Sequence, residues 1–280
     1  MDFELLPKEL LEGAYTKLGR GRTYAKAVDR EINTYIESNP YEIVPKFYEE
    51  TGSHRLQLKL VRRPPVEIGL LVGDAIHSLR CALDHLAWQL ANLDGPPADR
   101  YYVQFPIYDK PKGFADSRQM SGMRAEHRAV LESLQPYEGS NPPEQHILSI
   151  LAKLSNADKH RVILPTTIAT LDLKSEKLEA RPGYRIARYE TFFEPGASLK
   201  DGTEFGEVLI LPRNPEAQMD MNATAATVVL LDEKGEGLIP LPPKMLLDRI
   251  ANAIGQVLDY FNATIPDSEI EGLSEGVEAS

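Results

Sequence analysis

The chain has a single cysteine, Cys81, so no intramolecular disulfide can form. Such sparing cysteine use agrees with a reducing compartment. No window holds about 18 consecutive apolar residues, and no membrane-spanning helix or membrane partner is expected. The Walker loop, the G-x-G-x-x-G turn and the G-x-S-x-G elbow are all missing, which removes the commonest nucleotide and hydrolase signatures. Positive charge is short: 31 Lys and Arg stand against 42 Asp and Glu, for a net charge of -11. That balance argues against broad nonspecific binding to nucleic acid, and no DNA partner is expected; a local basic groove is still allowed. The opening MDFELLPKELLEG lacks the basic start and apolar run of a signal peptide, and a cytoplasmic location is expected. No internal repeat is present.

What remains is ordinary globular material. Of 280 residues, 42% are hydrophobic and 26% charged, enough for a core without metal or disulfide staples. Residues 3–37 carry Leu6, Leu10, Ala14, Leu18, Ala25, Val28, Ile32 and Tyr35 at mostly helical spacing, with Gly19 and Gly21 marking a possible kink. Residues 41–63 alternate apolar and polar around Thr51-Gly52-Ser53, the pattern of a β-hairpin. A second helix is predicted over 66–93, after Pro64-Pro65, and shorter ones over 121–134 and 143–158. Four strand-like runs lie between Val162 and residue 232, and predict an antiparallel sheet that the hairpin can join. A last amphipathic helix follows Pro242-Pro243, with Met245, Leu246, Ile250, Ile254, Val257, Leu258 and Phe261 on one face.

The expected fold is α+β: a helical bundle with an antiparallel β-sheet and a returning C-terminal helix. By sequence, residues 1–161 form a mainly helical part that includes the hairpin, residues 162–265 form a β-rich part ending in the helix, and 266–280 form a disordered acidic tail.

The stretch HSLRCALDHLAWQLA, residues 77–91, concentrates the chemistry. Val72, Ala75, Ile76, Leu79, Ala82, Leu83, Leu86 and Leu90 make one apolar stripe. The opposite side carries Asp74, His77, Arg80, Cys81, Asp84, His85 and Trp88, with no Lys or Glu among them. Three readings compete. In a structural one, Arg80 and Asp84 pair at i,i+4 and Trp88 covers a core edge. In a metal one, His77, Cys81 and His85 recruit His146 or His160; a straight helix rarely wraps an ion with three ligands, so no metal and no cofactor is expected. In the third, Arg80 holds a phosphate and the His85 imidazole moves a proton, the minimum for metal-independent cleavage of RNA by its own 2′-hydroxyl.

Arg80-Cys81-Ala82-Leu83-Asp84-His85 resembles the R-x4-H motif of HEPN domains. The resemblance covers about residues 66–160. It implies a small, often dimeric helical bundle. Many members are metal-independent endoribonucleases of bacterial and phage defence systems, and others only bind or scaffold. It implies His85 as general acid or base, Arg80 as the phosphate contact, His77 as an assistant, and a homodimer in which two motifs meet. The chain also resembles uncharacterised bacterial and phage proteins carrying LR-x-x-LDH and N-x-x-KHR.

In a second cluster, LAKLSNADKHRVILP (151–165) and the helix that leads into it, His146, Ser149, Lys153, Asn156 and His160 fall on one helical side. Lys159, His160 and Arg161 concentrate positive charge and form a candidate phosphate site. The same residue types also suit the negative end of a helix dipole. Asp84 is a candidate partner for Lys159 or Arg161. In the proline-rich stretch 98–120, Tyr101, Tyr102 and Phe105 are expected to cover the helical core, with a groove lining as the other option. The function expected is RNA binding or metal-independent RNA cleavage. The alternative is a non-enzymatic binding protein whose His/Arg seam is structural.

Overall fold

The computed structural model describes residues 9–160, 164–171, 178–192, 201–215, 219–221, 225–232 and 241–266. The expected tail after Pro266, Arg161 and the start of the first helix at residues 3–8 lie outside the described residues. The described chain is mixed α+β. Its helices are α1 (Glu12–Glu37), α2 (Val66–Asn92), α3 (Pro111–Ala115), α4 (Ala125–Ser133), α5 (Ile147–His160) and α6 (Pro243–Thr264). Its strands are β1 (Tyr41–Tyr48), β2 (Ser53–Leu60), β3 (Leu164–Leu171), β4 (Leu178–Ala180), β5 (Arg185–Thr191), β6 (Glu204–Leu211), β7 (Met219–Met221) and β8 (Ala225–Asp232).

Two compact units share the chain, each assembled from separated segments. One takes Met1–Asp29, Gly69–Ile163 and Pro243–Ser280; the other takes Arg30–Ile68 and Leu164–Pro242. The hairpin therefore belongs with the later strands, and the last helix with the early ones.

In the helical unit, α2 is the central element. From Val72 to Leu90 its predicted stripe is fully buried, at about 1.5–3 kcal/mol for each large side chain. The helix ends where Asn92 donates its side-chain amide to the Trp88 carbonyl at 2.7 Å. Gly95 follows at φ 103, where L-residues pay a steric cost, and its N–H returns to the Asn92 carbonyl at 3.0 Å. Helix α1 runs unbroken through Gly19 and Gly21. Gly21 is there for closeness, because a Cβ would fall 2.6 Å from the Leu79 side chain. Helix α6 reaches α1 through Tyr15, whose hydroxyl donates to Asp259 Oδ1 at 2.7 Å. Burial, then that bond, raises the Tyr15 pKa. On α6 the predicted apolar face is buried except for Met245, which is 46% exposed.

In the sheet unit, four strands run antiparallel in the order β1-β2-β6-β5. The hairpin turns at Gly52, whose φ is 62 and whose N–H meets the Tyr48 carbonyl at 2.8 Å. The core is Leu56, Leu58, Phe205, Val208 and Ile210. All four predicted runs after Val162 contribute strands, yet only β5 and β6 join the hairpin. Strands β3 and β8 pair with each other instead, as do β4 and β7.

Candidate functional site

Arg80 projects from α2 toward the segment 103–107, which sequence reads as loop. Its Nη2 donates to the Phe105 carbonyl at 2.6 Å and lies 3.0 Å from Asp84 Oδ1. Its Nε donates to Asp84 Oδ2 at 3.3 Å. Asp84 Oδ1 in turn accepts the Phe105 N–H at 3.0 Å. Both backbone groups of Phe105 are thereby satisfied from α2, and its ring is fully buried. The Arg80 side chain is 15% exposed and that of Asp84 33%. The i,i+4 pairing read from the sequence is present, and it clamps a distant segment.

The same arginine lines a small polar pocket of about 140 Å³. Gln104, Ile107 and Gln119 wall one side; Ala152, Ser155, Asn156 and Lys159 of α5 wall the other. Few of its polar groups are used. Among the described residues no acceptor takes the Arg80 Nη1 hydrogens or those of Lys159 Nζ, and Gln119 Oε1 is buried without a donor. Net donor capacity with one orphaned acceptor suits a phosphate-sized anion bearing a hydroxyl.

The chain leading to Gln104 carries two tyrosines, Tyr101 and Tyr102. Segment 100–105 is held against residues 118–120, with the Gln104 N–H meeting the Gln119 carbonyl at 3.3 Å. Arg118 stacks 4.0 Å from the Tyr102 ring centre while binding Asp99 at 3.0 Å. Arg100 lies 5.1 Å over the Tyr101 ring. Tyr101 is 85% exposed and Tyr102 49%. This corrects the expectation that these rings cover the core: only Phe105 does.

Of the other predicted site residues described, Lys159 lines this pocket and His77, His85 and His160 do not. His85 is exposed and lies over α1, where a Cβ on Gly13 would sit 2.8 Å from its Nδ1. Five helical residues separate it from Arg80, about 140° around the axis. The structure therefore turns the two members of R-x4-H toward different neighbours. His77 is exposed, with Nε2 3.5 Å from Cys81 Sγ. Burial pushes the Cys81 thiol pKa up, while Lys17, Arg80 and Lys159 pull against it. Of the second cluster, Lys159 reaches the Arg80 pocket, whereas His160 is exposed at the end of α5. Asp84 takes Arg80 and the Phe105 N–H as partners. Among the described residues no group of three His, Cys, Asp or Glu is placed to hold a metal ion, and no helix is long and apolar enough to cross a membrane.

Sequence reasoning missed Gln104, Gln119, Ser155 and the backbone of Phe105. None carries a periodicity or motif signal. Only the unusual lack of Lys and Glu on one face of α2 hinted that this face meets something. Comparison with family models, with curated proteins and with solved structures returns no match.

Proposed function

We propose that the helical unit is an RNA-binding module that takes a backbone phosphate of unpaired RNA in the Arg80 pocket, with Arg80 as a holding rather than a catalytic group. The observation that carries this reading is the division of labour on one guanidinium. Nε and Nη2 fix Asp84 and Phe105, and Nη1 is left beside Lys159 with no protein acceptor among the described residues. A fixed guanidinium presents its remaining donors at little entropic cost. Tyr101 and Tyr102 add faces on which bases stack without regard to sequence. The pocket is local, so it is compatible with an acidic chain.

A second reading rests on the exposure of His77 and His85. In a homodimer, as the HEPN resemblance implies, these imidazoles would meet RNA at a site centred on His85, about 140° around α2 from the Arg80 clamp, and cleave it without metal.

Binding of a short fluorescent single-stranded RNA and of its duplex, in EDTA, tests both. The expected result is saturable, salt-sensitive binding of the single strand, intact RNA afterwards, and a loss of about tenfold in affinity for Lys159→Ala and for Tyr101→Ala, in line with ~1–3 kcal/mol per stacked base. No binding of either RNA by folded protein overturns the proposal. Cleavage that disappears in His85→Ala establishes the second reading.

A further inference from the structure

A second cavity, of about 500 Å³, opens in the helical unit between α4, the turn Pro136–Glu138, the start of α5 and α6. Its walls are mainly apolar, with Leu134, Leu148, Val257 and Phe261 among them. That size and lining are those of small-molecule sites, which fix orientation with a few polar groups.

Of the polar side chains here that are not fully exposed, one is free to do so. Gln135 is spent: its amide donates to the Pro106 and Leu131 carbonyls and accepts the Tyr108 N–H. His146 is not. Its Nδ1 accepts the Leu148 N–H at 3.3 Å, which places the proton of the neutral ring on Nε2. Burial lowers the His146 pKa, against an opposing pull from Asp109, which favours the neutral ring. No acceptor among the described residues takes Nε2–H. Glu138 also lines the cavity, and its carboxylate disfavours an anionic guest.

We propose that this cavity binds a small, uncharged, mostly apolar molecule bearing one carbonyl-type acceptor, which takes its hydrogen bond from His146 Nε2. The site is independent of the RNA reading, since it shares no residue with the Arg80 pocket.

The naphthyl ketone 6-propionyl-2-(dimethylamino)naphthalene is a suitable probe, because it carries one carbonyl and its emission shifts to the blue in apolar surroundings. Titration into the full chain is expected to give a saturable blue shift, with amide NMR changes confined to residues around 130–148 and 253–261. Ala253→Trp, which fills the cavity from α6, is expected to abolish it. His146→Phe keeps a ring but no donor, and is expected to weaken binding by about tenfold. No saturable shift with the wild type, or amide changes elsewhere in the chain, overturns the site even if Ala253→Trp fails to fold. Unchanged affinity in folded His146→Phe overturns the hydrogen bond.

Discussion

The backbone of Phe105 is held by the side chain of Asp84: the Phe105 N–H meets Asp84 Oδ1 at 3.0 Å. Arg80, paired with the same carboxylate, closes the ring of contacts through the Phe105 carbonyl. An ion pair within one exposed helix contributes only a few tenths of a kcal/mol. This pair is largely covered and satisfies two backbone groups that would otherwise lose their water.

It follows that Asp84→Asn and Arg80→Lys should each lower stability by about 1.5–3 kcal/mol, the range for hydrogen bonds to charged groups. The two losses should be less than additive in the double variant. His85→Ala, on an exposed ring, should change stability by about 0.5 kcal/mol or less. Urea unfolding of the four variants beside the wild type checks this. A His85 variant weaker than the Arg80 variant would show that the stabilising role lies with His85.

Where α2 and α5 meet, Gly73 leaves room for the Asp158 carboxylate, with which any Cβ would collide. Burial, then the Asp74 charge, holds the Asp158 pKa above the usual carboxylate range, with His77 opposing. A carboxylate whose folded pKa is raised binds its proton more tightly when folded. Its ionisation therefore opposes folding as pH rises through the folded value, and the penalty is absent below the unfolded value of about 4. Asp158→Asn should be more stable than wild type at pH 7, with the gain shrinking as pH falls toward 4. Chemical unfolding of both proteins across that range is the measurement, and a gain that grows in acid would contradict the sign.

Much of this architecture is legible in sequence because it is periodic. The stripe from Val72 to Leu90 and the turn at Gly52 follow from local spacing, and α2 begins where Pro64-Pro65 says it must. Strand partners are another matter. Nothing in the run containing Val229 and Leu230 distinguishes pairing with β3 from joining β6, since both give an alternating strand a neighbour. The site was half legible for the same reason. Arg80 and Asp84 share a helix and an i,i+4 spacing, whereas Phe105 and Gln119 reach them through contacts between distant segments. The R-x4-H spacing fixes distance along a helix and leaves open which neighbours the two side chains meet.

The sheet unit contains a buried imidazole without a hydrogen bond among the described residues. His54 is 3% exposed, and neither ring nitrogen has a hydrogen-bond partner among them; its ring contact is Phe47, 5.1 Å away and tilted by 60°. An unmade hydrogen bond in the interior costs about 1–3 kcal/mol. Replacing imidazole with a phenyl ring keeps the aromatic contact and removes the cost. His54→Phe should therefore raise stability by about 1 kcal/mol in thermal or urea unfolding. A fall instead would mean that the ring nitrogens are bonded in solution, for instance to a trapped water.

Glu204 on β6 faces a different balance. Tyr48 donates its hydroxyl to one oxygen at 2.5 Å, and Arg55 holds the other at 3.0 Å while stacking 4.4 Å over the Tyr48 ring. The Tyr48 bond first, then Arg55, keeps the Glu204 pKa below the usual carboxylate range. Here the sign is opposite to that of Asp158. A depressed folded pKa gives stability that is complete above the unfolded value of about 4.3 and is lost as pH falls through the folded one. Glu204→Gln keeps an acceptor for Tyr48 but has no charge for Arg55, so it should be less stable than wild type at neutral pH. Its curve of stability against pH should also fall less steeply below about pH 4.3. Parallel acid titrations monitored by circular dichroism compare the two slopes; equal slopes would show that Glu204 carries no charge-dependent share of the sheet's stability.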